Sequence, residues 1–343
     1  MNSEKSLEAN LIFSVVIPCY NAENEIKNCL DALLNSSYKN FEIVCVDDCS
    51  TDDTSRVINK YSRKVKLLRL KKNSGAAVAR NEGVKAAKGD IIVLLDSDVI
   101  VKENTLENFK EDLIQQKGDV IIGNYSKKHP FKGFATNYKN FWLHYTYLIL
   151  PKYLPFVNTP CLAMNKKVFK EIGGLDSDIK ILAGEDWEFG QRIAMKGYKI
   201  FLDKSIEFVH MKNFTLKNIL RTDARKSFGL VKMYLRTRNR KKSISCNNGY
   251  GSTPFHFIIS APLVSIILLL ALLSLFFPVF LYVLFAFILL YFIINRVFFS
   301  LLFRTYGLLF TIVSSIIFYL NVFSVVIGGV AGLIDSLILG RRY

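Results

Sequence analysis

The chain has 343 residues, a formal net charge of +16 and 51% hydrophobic residues. That length exceeds the ~100–200 residues of a usual single domain, and the apolar excess is gathered near the C-terminal end, which excludes an ordinary one-domain soluble chain. Six cysteines without a C-x-x-C pair exclude a zinc-knuckle or disulfide-framework reading and fit a reducing compartment; Cys45 and Cys49 are read as packing residues.

The opening MNSEKSLEAN is a polar tail, and the LIFSVVIP that follows is short, holds a proline and lacks a small-residue cleavage site. No secretory signal is predicted, so residues 1 to about 215 are expected to stay in the cytosol. FSVVIPCYN reads as a strand, AENEIKNCLDALLNSSY as a helix with Ile26, Leu30 and Leu33 or Leu34 at helical spacing, and FEIVCVDDCST as a second strand. DDTSRVINKYSR predicts a second helix opened by acids, VKLLRL a third strand, NSGAAVARNEGVKAAKG a third helix ending at Gly89, and IIVLLDSDV a fourth strand. Continuous apolar strands predict an α/β fold with a mostly parallel, Rossmann-like sheet covered on both faces. Ligands of such sheets bind at the carboxyl ends of the strands. Three polar clusters fall there, PCYNAE (18–23), DDCSTDD (47–53) and DSD (96–98), and are expected to share one crevice. No G-x-G-x-x-G follows the first strand, which disfavours a dehydrogenase-type fold.

Asp96 and Asp98 offer hard oxygen donors of the kind that hold Mg²⁺ or Mn²⁺ together with substrate phosphates; the alternative is a solvated turn. Asp47 and Asp48 either cap the next helix or leave a carboxylate at the crevice to accept a base N–H. Tyr20 either stacks on that base or packs as an amphipathic aromatic. Gly75 precedes a helix N-terminus, where free N–H groups favour phosphate, and Arg80 is either a bidentate donor there or an exposed helix arginine. Glu185 and Asp186, after Gly184, are ordinary first-turn acids or supply a general base. His210, at the end of a strand-like run, is structural or a ligand.

From about residue 255 the text is almost wholly apolar, with predicted spans at about 255–277, 279–295 and 308–334. RTDARK (221–226) and LRTRNRKK (235–242) lie just before them. Next to a span, such a basic segment is expected on anionic membrane lipids and not on nucleic acid. Three full spans would place the closing GRRY outside, against the charge rule, unless the last run is one span plus an interfacial segment from about Gly328. The predicted division is a tail (1–10), a cytosolic catalytic domain (11–215), a basic juxtamembrane segment (216–253) and a transmembrane region (254–343).

VVIPCYNAENEI, VDDCSTDDT, NSGAAVARNEG, DSD, GGLD (173–176) and GEDWEFGQR (184–192), in this order and spacing, resemble the family 2 glycosyltransferases, which have the GT-A nucleotide-diphospho-sugar transferase fold. The resemblance covers about Ser14 to His210. It implies that Pro18, Tyr20, Asn21, Glu23 and Asp48 hold the nucleoside, that the Gly75 loop and Arg80 face the diphosphate, and that Asp96 and Ser97 lie by the ribose and the metal-bound diphosphate. Asp98, with Asp96, would ligate a divalent cation, Mg²⁺ or Mn²⁺, and in some relatives a histidine equivalent to His210 completes that site. Asp186 would be the base, with Glu185 beside it, in an inverting transfer. The donor implied first is a UDP-sugar, with GDP- or dTDP-sugars as alternatives. The absence of Q-x-x-R-W implies addition of one or a few sugars, and the spans imply a lipid-linked or membrane-proximal acceptor. Together these describe a multi-pass plasma-membrane enzyme of cell-surface polysaccharide synthesis. A rival reading is an inactive nucleotide-sugar-binding membrane subunit, which the retained Asp98 and Asp186 oppose. A translocation path is opposed by the placement of Arg296, Arg304 and Asp335 near predicted span ends.

Overall fold

The computed structural model describes residues 11–179, 184–237, 245–246, 249–250 and 252–337. The polar tail, most of LRTRNRKK and the closing GRRY lie outside the described residues. The first strands are β1 (Phe13–Cys19), β2 (Phe41–Asp47), β3 (Val65–Arg69) and β4 (Ile91–Leu95), joined by α1 (Ile26–Leu34), α2 (Thr54–Asn59) and α3 (Ala76–Ala86). They pair in the order β3-β2-β1-β4, all parallel. The cause is legible locally: every residue of β4 is buried, and α1 buries Ile26, Cys29, Leu30 and Leu33 on one face, the spacing of an amphipathic helix laid on a sheet. Gly83 lets α3 lie close to that sheet, since a Cβ there would meet Val46 at 3.1 Å.

Beyond β4 the sheet becomes mixed. β5 (Val99–Ile100), α4 (Thr105–Ile114), β6 (Val120–Tyr125), β7 (Tyr153–Leu154), β8 (Cys161–Asn165), α6 (Lys166–Ile172), α7 (Gly184–Met195) and β9 (Ile200–His210) follow, with α5 (Phe134–Leu148) between β6 and β7. β8 enters antiparallel between β4 and β6. β9 runs parallel to β6, and β5 and β7 pair antiparallel with β9. Five residues of CLAMN are too short a run for periodicity to mark β8 as a strand; its partners on both sides decide it.

The chain divides into two compact units, one within Met1–Pro130, Leu150–Lys180 and Glu185–Lys212, the other within Phe131–Ile149, Ile181–Gly184 and Asn213–Tyr343. The second is helical: α5, α8 (Leu216–Thr237), α9 (Phe255–Ser274), α10 (Phe280–Ile294), α11 (Arg296–Tyr306) and α12 (Leu308–Leu337), with a small antiparallel sheet of β10 (Ser245–Cys246), β11 (Gly249–Tyr250) and β12 (Thr253–Pro254). Its core is aromatic, with the Trp142 ring 5.1 Å from those of Phe257 and Phe298 and 5.5 Å from that of Phe318. A buried ion pair joins Lys139 Nζ to Asp223 at 2.6 Å, and Asn321 Nδ2 donates to the same carboxylate at 3.0 Å.

α9 and α12 are each long and apolar enough to cross a membrane. Over the predicted span at 279–295, α10 has 15 residues, about 22 Å at 1.5 Å per residue against a ~30 Å hydrocarbon core, and the chain then bends by 68° into α11, the two together being long and apolar enough for one broken span. The run from 308 is one continuous helix to Leu337, with no break at Gly328. Gly328 and Gly332 instead let the α8 backbone approach; a Cβ at Gly332 would meet the Phe228 carbonyl at 2.7 Å.

Candidate functional site

The loops after β1 and β2 are laced together. Asn21 adopts a left-handed φ of 49°, tolerated best by Asn among non-glycine residues. Its N–H donates to Ser50 Oγ at 3.0 Å, and its side-chain oxygen accepts from the Thr51 N–H at 2.9 Å. Glu23 accepts from the Asp53 N–H at 2.9 Å, and the Glu23 N–H donates to Asp52 at 3.1 Å. Asp47 is fully buried and accepts from the Ser50 N–H and the Ser55 hydroxyl, so it has the local, cap-like role. Asp48 does something the sequence did not indicate: its two oxygens accept the N–H groups of Ser74 and Gly75, each at 2.7 Å, fixing the loop that opens α3. Gly75 itself sits at φ 92°, ψ 160°, a region essentially reserved for glycine. Pro18 lies within β1 opposite Val46, and Tyr20, 50% exposed, stands free of the core.

A second group converges on Arg80. Only 4% exposed, it is no surface arginine: Nη2 donates to Asp96 at 2.7 Å, and Nη1 lies 3.9 Å from Glu185 and 4.0 Å from Asp186. Its Nε and Nη1 are buried without a hydrogen-bond partner among the described residues. Asp186 is oriented from another segment, because Thr159 Oγ1 donates to its Oδ1 at 2.9 Å. Three carboxylates around one guanidinium leave an excess of negative charge, and the titration behaviour reflects it. Burial, reinforced by the charge of Asp186 and opposed by Arg80, pushes Glu185 up to about 7. Burial also raises Asp96; the Asp98 charge adds to this, while Arg80 opposes it.

The third group is Asp98 with His210. Pairing of β5 with β9 sets Val99 opposite His210, and the Met211 N–H donates to the Asp98 carbonyl at 2.7 Å. His210 Nε2 thereby comes within 3.3 Å of Asp98 Oδ2. The Tyr125 ring meets the imidazole edge-on at 5.8 Å. Burial works against ionisation of Asp98, but the His210 hydrogen bond and the charges of His210 and Lys212 outweigh it and hold its carboxyl below the usual range. Among the described residues no three His, Cys, Asp or Glu side chains close around a common point. Asp98 and His210 thus offer one oxygen and one nitrogen donor, a set that fits an ion completing its shell with ligand oxygens and water. Ser97 lies half-buried between the two aspartates.

Distant segments of sequence therefore meet in two small constellations, Arg80–Asp96–Glu185–Asp186 and Asp98–His210, while Asp48 and Gly75 form the loop that leads into α3. Sequence reasoning missed Thr159 and Tyr125. Thr159 precedes β8, a strand with no periodic signal, and Tyr125 ends a wholly buried β6, where nothing distinguishes it from a core residue.

A family model described as Glycosyl transferase family 2 matches residues 14–173. Glycosyltransferase GlyG of Streptococcus pneumoniae is 38% identical over 117 residues, which is 33% of this chain and only 39% of that relative's length. An uncharacterized glycosyltransferase of Haemophilus influenzae is 27% identical over 258 residues, 70% of this chain and 82% of its own. Among solved structures, the mannosyltransferase PcManGT from Pyrobaculum calidifontis, in complex with GDP-Man and Mn²⁺, has the same fold, with a TM-score of 0.56 at 18% identity over 96% of this chain and 88% of that one.

Proposed function

We propose that this chain, which matches the model of glycosyl transferase family 2 over residues 14–173, is a member of that family and an enzyme moving a sugar from a nucleotide-diphospho-sugar to a hydroxyl, or a lipid phosphate, of a membrane-associated acceptor, in a non-processive inverting transfer. The observation that carries this is the convergence on Arg80. Acids from two distant segments, Asp96 from the end of β4 and Glu185 with Asp186 from α7, lie within 4.0 Å of one buried guanidinium. A solvated D-x-D turn and ordinary helix-opening acids have no reason to meet in that way.

In this reading Asp186 takes the proton from the attacking acceptor hydroxyl, held in orientation by Thr159. Arg80 keeps the carboxylates from repelling one another, and Glu185, poised near neutrality, moderates the charge beside the base. The loop fixed by Asp48 presents the α3 N-terminus to the diphosphate, and exposed Tyr20 supplies a face for the base. A Mg²⁺ or Mn²⁺ ion held by Asp98 and His210, with Asp96 nearby, would offset charge on the departing nucleoside diphosphate. The lengths of α9 and α12 support a membrane-anchored protein with its catalytic unit in the cytosol at the plasma membrane, acting in cell-surface polysaccharide synthesis. A UDP-sugar is the donor to try first.

The full chain, reconstituted in lipid, is assayed for nucleoside diphosphate release from UDP-, GDP- and dTDP-sugars with Mn²⁺ or Mg²⁺ and a membrane lipid extract. One donor is expected to turn over, with Asp98→Asn and Asp186→Asn slower by roughly 100-fold or more. A wild type that binds a donor yet releases nothing would favour the inactive-subunit reading. Variants as fast as wild type would refute the residue roles.

A further inference from the structure

α12 exposes one apolar row along its whole length, including Leu309, Ile316, Phe323, Ile327, Ile334 and Leu337, recurring every three to seven residues on one side. On its other side the first half packs into the aromatic core of the same unit, with the Phe318 ring 5.3 Å from those of Phe257 on α9 and Phe298 on α11 and 6.1 Å from that of Tyr291 on α10. Phe310 packs on Phe134 at 4.2 Å and Phe318 on Trp142 at 5.5 Å, both on α5, which also carries Lys139, Asn140 and His144. From Asn321 onward the neighbour is α8: Asn321 donates to Asp223 at 3.0 Å, Gly332 abuts Phe228, and Lys232 Nζ meets Asp335 at 2.5 Å. The two helices run side by side in the same direction, and α8 keeps Lys217, Arg221 and Arg225 exposed at i, i+4, i+8.

We propose that α12, although long enough to span, lies along the membrane surface, with its apolar row in the outer acyl layer and its α8 side toward the headgroups. This rests on the membrane-anchored reading above. A crossing α12 would carry α8 into the hydrocarbon, together with Asp223, Arg225, Lys226 and Lys232, and charges there are strongly disfavoured. The stretch free of α8, residues 308–320, is about 20 Å long at 1.5 Å per residue, short of the ~30 Å core. A helix with a continuous apolar face beside a cationic neighbour suits the interface, where anionic headgroups complement the exposed cations. The crossing is then left to α9 and to α10, which with α11 forms a bent pair long enough to serve as one broken span, and Leu337 ends on the same side as Leu216.

Single tryptophans are introduced in the full chain at Leu309, Phe323 and Leu337, with Phe285→Trp in α10 as a reference, and reconstituted in vesicles of lipids brominated at shallow or deep acyl positions. The signal of the two native tryptophans is subtracted. Shallow bromines are expected to quench all three α12 sites to within about twofold of one another. A spanning helix would set Phe323→Trp some 21 Å along the axis from Leu309→Trp and show it far deeper than both ends, overturning the proposal. Quenching of Phe285→Trp with none along α12 would also overturn it, because a second copy then covers the row. No quenching at any position would defeat the membrane-anchored reading itself. Tags on the two ends of the otherwise native chain, probed by protease in sealed vesicles, give the same test without substitutions: protection on the same side is expected, and opposite sides overturn it.

Discussion

Replacing Arg80 with methionine removes the only cation at hydrogen-bond or ion-pair distance from Asp96, Glu185 and Asp186 among the described residues while keeping most of the side chain's volume. Breaking a buried charge pair by deleting one partner costs about 3–5 kcal/mol. With roughly 2–4 °C of melting temperature per kcal/mol for a domain of 150–250 residues, the drop at pH 8 is about 10 °C, read by scanning fluorimetry of the full chain in detergent. The effect has a built-in pH signature. Glu185 already titrates at about 7 with Arg80 present, and losing the cation pushes it and Asp96 higher still. At pH 5.5 Glu185 of the variant is therefore largely neutral and repels its neighbours less, so the drop shrinks to about half or below. Arg80→Lys, which keeps the charge, recovers most of the loss. A drop of equal size at pH 5.5 and pH 8, or none at pH 8, would refute charge compensation as the role of Arg80.

Because burial raises Glu185 from 4.5 to about 7, its contribution to stability is complete below pH 4.5 and is lost as pH rises through about 7; Glu185→Gln should flatten that slope, a change of about 3 kcal/mol at 1.36 kcal/mol per pH unit, seen in denaturant midpoints across the window. In the helical unit, Lys139→Met alone strands a buried Asp223 and is expected to cost about 3–5 kcal/mol, whereas the double change Lys139→Met with Asp223→Leu recovers most of it; melting of the single and double variants in the same detergent decides this, and additive losses would count against an ion pair whose members matter to each other.

The sequence by itself determined the parallel half of the sheet and the chemistry at its edge. β1, β2 and β4 are runs of Val, Ile and Leu ending in polar clusters, and local hydrophobicity is enough to place such strands and their carboxyl ends. It also placed α7 and β9, whose acids and terminal histidine follow from strong local patterns. Only the tertiary structure decided what those groups do. Asp47 and Asp48 are neighbours with the same side chain, yet one is buried as a cap and the other clamps the Ser74–Gly75 backbone, because successive residues at a strand end point to opposite faces. Arg80 reads as a helix arginine until β4 and α7 bring three carboxylates to it, and His210 reads as a lone histidine until antiparallel pairing of β5 with β9 sets it beside Asp98. Hydropathy gave α12 a length that fits a crossing, but the cationic α8 that lies along its second half is contributed by a segment 71 and more residues earlier in the chain. Periodicity reports what one segment would bury; which polar groups it must lie beside is set by contacts between distant segments.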